Sequence, residues 1–135
     1  MIPSVTVNFV AVLGAAIASM VVGFVWYSPV LFGNLWMKLS KKKMDAKGNP
    51  TKAYMTAFAG AIVAAYVLAH IISYAGAVTL MDGAFAGFWA WLGFIATTET
   101  VNAVFDEKPM QLVALGLGHH LLSFLVMGAV LVAMA

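Results

Sequence analysis

Four stretches of this chain are each long, apolar and almost free of charge, and such segments have few places to go. They run from about Ser4 to Ser28, from about Thr51 to Tyr74, from about Gly83 to Phe105, and from about Pro109 to Met134. A helix of about 20 apolar residues matches the roughly 30 Å hydrocarbon layer of a bilayer. It also satisfies its own backbone amides and carbonyls, which lipid cannot do. Only 9% of the residues are charged, against about 25% in a soluble domain, so a water-soluble fold has too little polar surface to cover the rest. The expected fold is all-α: one polytopic membrane domain over residues 1–135, built as a four-transmembrane-helix bundle.

Local signals punctuate the four spans. Ser4 is placed to cap the first helix, and Pro29 ends or kinks it. Asn49-Pro50 reads as a cap followed by a first-turn proline. Gly76 and Met81-Asp82-Gly83 separate the second and third helices, with Asp82 expected in solvent. Asp106 and Glu107 precede Pro109, where negative charge suits a helix N-terminus. Ala16-Ile17-Ala18 resembles a signal-peptidase site, but no positive residue precedes the apolar run, so the first segment is read as a retained span.

Lysine placement orients the bundle. Five of the seven lysines, from Lys38 to Lys47, lie in a basic loop of about residues 32–50, Lys52 stands at its edge, and the seventh is Lys108. Positive residues remain in the cytoplasm, which puts the first and third loops there and both termini on the non-cytoplasmic side. The lysine run is read as a solvated, orienting loop rather than a specific lipid site. Trp26, Tyr27, Trp36 and Tyr54 form the expected inner aromatic belt, and Tyr74, Trp89 and Trp91 the outer one. The chain has no arginine, which argues against nucleic-acid or phosphate partners. It has no cysteine, which removes disulfides, thiolate metal sites and thiol nucleophiles.

Small residues recur every four positions: Ala11, Ala15, Ser19 and Gly23 on the first helix, and Ala53, Ala57, Ala61, Ala65 and Ala69 on the second. Gly83 and Gly87 on the third, and Ala114 and Gly118 on the fourth, extend the pattern. Such ridges let helix backbones approach closely in lipid. They exceed the needs of one hairpin, so a homo-oligomer is expected.

Ionisable groups inside a span are costly and are candidates for function. Glu99 lies in Thr97-Thr98-Glu99-Thr100, with Asn102 three residues on and on the same face. His119 and His120 lie roughly 14 Å into the fourth span and Glu99 roughly 9 Å into the third. The two helices form a hairpin, so Thr98, Glu99, Asn102, His119 and His120 make the proposed protonatable or ligand site. Adjacent histidines point about 100° apart on a helix and are poorly placed to share a metal, so neither metal nor cofactor is expected. The blander reading packs the histidines against carbonyls and turns Glu99 to the headgroups. His70 and Tyr66, with Asn8 as a candidate partner, form a second polar strip near the opposite interface. Serines 19, 28, 73 and 123 are assigned to packing and caps, and no catalytic signature is visible.

The segment Phe24-Val25-Trp26-Tyr27-Ser28-Pro29-Val30-Leu31-Phe32-Gly33, followed by Trp36, resembles a family of small prokaryotic four-helix membrane proteins catalogued as a domain of unknown function. Val7-Asn8-Phe9, Trp91-Leu92-Gly93-Phe94, Asn102-Ala103-Val104-Phe105 and Leu121-Leu122-Ser123 are similar too. The resemblance implies the same four-helix plan in a prokaryotic cytoplasmic membrane and brings no established activity. Physically, Trp26, Tyr27, Pro29 and Trp36 read as an interfacial anchor, with an aromatic-lined gate as the sharper alternative. The expected function is a small oligomeric transporter or channel with a protonatable Glu/His site. The alternatives are an accessory or scaffold subunit and, more weakly, a membrane enzyme with a lipophilic substrate.

Overall fold

The computed structural model describes residues 4–40 and 50–135, all of whose regular elements are helical. Helix α1 spans Phe9–Trp26, α2 Gly33–Ser40, α3 Pro50–Ala75, α4 Leu80–Ala90, α5 Thr97–Phe105 and α6 Met110–Ala133. Helices α4 and α5 are joined without a break by a π-helical segment, Trp91–Ala96, so together they make one long rod. Four helical rods are long and apolar enough to cross a membrane: α1, α3, the α4–α5 rod and α6. The chain is therefore a polytopic membrane protein with four spanning helices. Lys41, Lys42, Lys43, Lys47 and Asn49, which carry much of the charge and one cap in the sequence reading, lie outside the described residues.

The helix ends depart from expectation where side chains cap better than position suggests. Helix α1 starts at Phe9, and Asn8, not Ser4, caps it, its side-chain oxygen accepting from the amides of Val10 and Ala11. Helix α4 starts at Leu80, three residues before the expected Gly83. Thr79 accepts from the Asp82 amide while the Asp82 carboxylate accepts from the Thr79 and Val78 amides, a reciprocal capping box. Asp82 is exposed, yet it belongs to the first turn of a helix, not to a loop.

Helix α6 packs between α1 and α4, and α1 packs between α6 and α3. The α4–α6 seam is the tightest. A Cβ added to Gly83 would overlap the backbone of Gly128, and one added to Gly87 would overlap that of Phe124. The α1 ridge works inside the protomer, where Ala11 and Ala15 are buried, and Ala65 of α3 is buried against the same core. The α6 side of the seam is Gly128; Gly118 instead makes room for the Trp26 ring, and Ala114 is exposed.

The core gathers in one half of the bundle. Ala11, Ala15, Leu68, Ile72, Ala90, Met127 and Leu131 close the half that holds the α3–α4 turn. Asn8 Nδ2 donates to the Met134 carbonyl at 2.8 Å there, tying the start of α1 to the end of α6. Helix α3 packs on α4, but among the described residues no comparable contact joins it to the π segment or to α5. In the other half the helices spread, and the interior opens.

Candidate functional site

The site begins with a register shift. Glu99 follows Gly87 by twelve residues, which in an unbroken α-helix would turn it about 120° away from the α6 seam. The π segment carries about one extra residue, and the rotation it absorbs brings Glu99 to within about 20° of the Gly87 face. Thr98 is turned out by the same shift and is exposed, so it does not join the site expected for it. Two side chains hold the segment: Thr97 Oγ1 donates to the Gly93 carbonyl at 2.8 Å, and Trp91 Nε1 donates to the Leu117 carbonyl of α6 at 3.0 Å. Trp91 is thus a mid-span strut, not a belt residue.

Facing Glu99, α6 presents His120, and Glu99 Oε1 lies 3.2 Å from His120 Nε2. The two side chains are 40% and 38% exposed, respectively, enough for protons to reach them from the open half. His119 turns the other way along α6. Its ring meets Tyr27 edge-on at 5.1 Å, and Gly23 of α1 leaves it space.

Two cavities meet at this pair. The first, about 650 Å³, lies among α1, α3 and α6 and is mostly apolar. Gly23, Phe24, Tyr54, Ala57, Gly60 and Ser123 are among the residues that line it. The second, about 860 Å³, is mixed in character and is lined by Glu99, Asn102, Asp106, Glu107 and Lys108. Tyr27, Trp36 and His120 line both cavities, and His119 lines only the first. Lining, here, is shared by an aromatic pair and one member of the ionisable pair.

That aromatic pair is set by the turn after α1. Tyr27 and Trp36 meet edge-on at 6.2 Å, and Trp26 packs on Phe32 at 4.6 Å. The Phe32 amide bonds the Trp26 carbonyl, and the Gly33 amide bonds Ser28 at 2.9 Å. Gly33 sits against the Tyr27 and Ser28 carbonyls, where any Cβ would overlap them. Pro29 is exposed at the turn, and neither it nor Trp26 lines either cavity.

The second polar strip keeps His70 and Tyr66 together, their rings 4.8 Å apart, but loses Asn8. His70 Nδ1 contacts the Tyr66 carbonyl of its own helix at 2.9 Å, and Tyr66 stacks on Phe9. Asn8 is committed to capping α1 and to Met134, so it does not partner His70. Among the described residues no cluster of three or more metal-ligating side chains occurs.

Two serines assigned to packing, Ser19 and Ser123, belong to the site, since both line the first cavity. Ser123 is 2% exposed, lines the first cavity, and among the described residues its hydroxyl finds no hydrogen-bond partner. Its spacing was the available signal: it lies four residues after His119 and three after His120, on the histidine face of α6.

A family model matches residues 10–132, from the second residue of α1 nearly to the end of α6. The chain belongs to the family described as Protein of unknown function (DUF1761). No curated protein and no solved structure matches it. The matched span holds Glu99, both adjacent histidines and the whole Trp26–Trp36 turn, but brings no activity to them.

Proposed function

We propose that this DUF1761 protein is a small proton-responsive membrane carrier whose working centre is the Glu99–His120 pair. The observation that carries the reading is the position of that pair, 3.2 Å apart where two cavities meet, in a bundle packed shut on one side and open on the other. A carrier needs a binding space reached from one side at a time and a charge whose state changes with loading. The closed core favours a carrier over a channel, because Leu68 and Met127 in it are both nearly fully buried.

The π segment supplies a movable part. Helix α4 is fastened to α6 by glycine contacts, whereas α5 touches α6 lightly. If the segment relaxes to α-helix, Glu99 turns by about 100° and leaves His120. Protonating the carboxylate removes the attraction that holds the pair. Proton binding and α5 rotation are then coupled in one step.

Lysine distribution supports an open half on the cytoplasmic side with both termini outside, and we assign the protein to a prokaryotic cytoplasmic membrane. We infer a homo-oligomer as well, since Ala53 at the start of the α3 ridge stays exposed and lines neither cavity, while Ala65 of the same ridge is used within the protomer.

The test needs no substrate. Proteoliposomes adsorbed on a solid-supported membrane should give a transient charge displacement after a pH step, and Glu99→Gln should remove it. Among the described residues the other titratable groups that line the two cavities are Tyr27, Tyr54, Asp106, Glu107, Lys108 and His119, all unchanged in the variant, which therefore isolates the carboxylate. A displacement of full size in Glu99→Gln would end the reading.

A further inference from the structure

The two cavities share Tyr27, Trp36 and His120 as a common wall but differ in chemistry, and the difference describes a ligand. The first is large for its protein and lies within the range of about 300–1,000 Å³ usual for small-molecule sites. Its wall is aliphatic and aromatic, with Phe24, Tyr27, Trp36 and Tyr54 offering ring faces or edges. Among the described residues, the second brings three carboxylates, Glu99, Asp106 and Glu107, together with the ammonium of Lys108. An apolar body fits the first space and a positive charge the second. The aromatic pair shared by both stands where a cation would pass, and ring faces attract cations.

Ser123 adds an independent observation. A buried hydroxyl without a partner costs stability, and such groups are rare in folded proteins. This one is 2% exposed and faces the apolar cavity, where an occupant can meet its oxygen. Packing alone would be served as well by alanine.

We propose that the site takes a lipophilic monocation of small-molecule size, its body in the apolar cavity and its charge beside Glu99. The proposal rests on the carrier reading and names its substrate class. His120 is the internal competitor: when protonated it neutralises Glu99 and repels the ligand, and when neutral it leaves the carboxylate to the cation. Loading the ligand and loading a proton then exclude one another. The spread between α3 and the π segment lets an apolar molecule enter sideways from the bilayer.

Two ions of the same shape and opposite charge make the test: tetraphenylphosphonium and tetraphenylborate. Each is titrated separately by calorimetry into the full chain in nanodiscs of neutral lipid, with empty nanodiscs as the blank. The phosphonium should bind saturably and the borate should not. Glu99→Gln should weaken phosphonium binding by about ten- to a hundredfold, the loss of one charge–charge attraction in a partly exposed site. Gly60→Trp should abolish it by filling the cavity. A Cβ at Gly60 meets nothing within 4 Å, so the substitution starts without a backbone clash, and circular dichroism of both variants checks that each is folded. Equal binding of the two ions, or phosphonium binding that ignores Gly60→Trp, overturns the proposal. Absent phosphonium binding beside a Glu99-dependent charge displacement removes the cation and leaves the carrier. Charge-selective binding without any displacement supports the site and removes the carrier.

Discussion

Single residues decide this site through what they leave out as much as through what they carry. Gly33 is the clearest case, since its place against the Tyr27 and Ser28 carbonyls admits no side chain. Gly33→Ala should force the turn open, separate Trp36 from Tyr27, and lower stability by about 1–3 kcal/mol, the usual cost of overpacking. Thermal unfolding in detergent, read with tryptophan fluorescence, checks both effects. Unchanged melting and emission would show that the turn is not held by this contact. Glu99 and the two histidines were legible in the sequence because ionisable groups are conspicuous among apolar ones. Ser123 was not, because a serine in a membrane helix reads as packing until its hydroxyl is seen to lack a partner. Asn8 was misassigned for a related reason: its side chain was free to serve either a cap or a distant histidine, and the nearby amides of Val10 and Ala11 won.

At the scale of elements, the four spanning helices followed from hydropathy and length, since lipid permits little else. Their ends did not follow as well. The Thr79–Asp82 capping box extended α4 into what composition marks as a turn, because two reciprocal bonds outweigh a glycine three residues later. The π segment was illegible: Trp91–Ala96 is as apolar as any α-helical stretch, and the extra residue is absorbed by contacts from another helix, such as Trp91 to Leu117. Its consequence is testable. Deleting Gly93 should let the rod run as continuous α-helix while Glu99 keeps facing α6, because the lost residue is the one the π turn absorbs. Cysteines at 99 and 120, on a chain with no other cysteine, should then still be bridged by a short bis-thiol reagent. The same deletion should abolish the charge displacement, since no rotation is left to make. Loss of the bridge, or an undiminished displacement, would mean that the segment is neither the register shift nor the hinge.

Over the whole molecule, one half is fastened by alanines and glycines at backbone distance, and the other holds two cavities and every mid-span charge. Hydropathy alone could not place that asymmetry, because Ala57 and Ala65 are identical in sequence terms. The first lines an opening and the second is fully buried, a difference set by how far α3 has diverged from its neighbours. The asymmetry is what a carrier at rest in one of its two states requires. Access to the first cavity tests this most directly. A single cysteine at Ser19, on the cavity wall, is treated with a membrane-impermeant maleimide from either face of sealed vesicles. At neutral pH it should react only from the face bearing the lysine-rich loop. Acidifying the vesicles should shift part of the reaction to the opposite face, and Glu99→Gln should abolish that pH-dependent shift. Reaction confined to one face under every condition, or equal from both at once, would contradict a carrier centred on Glu99 and His120.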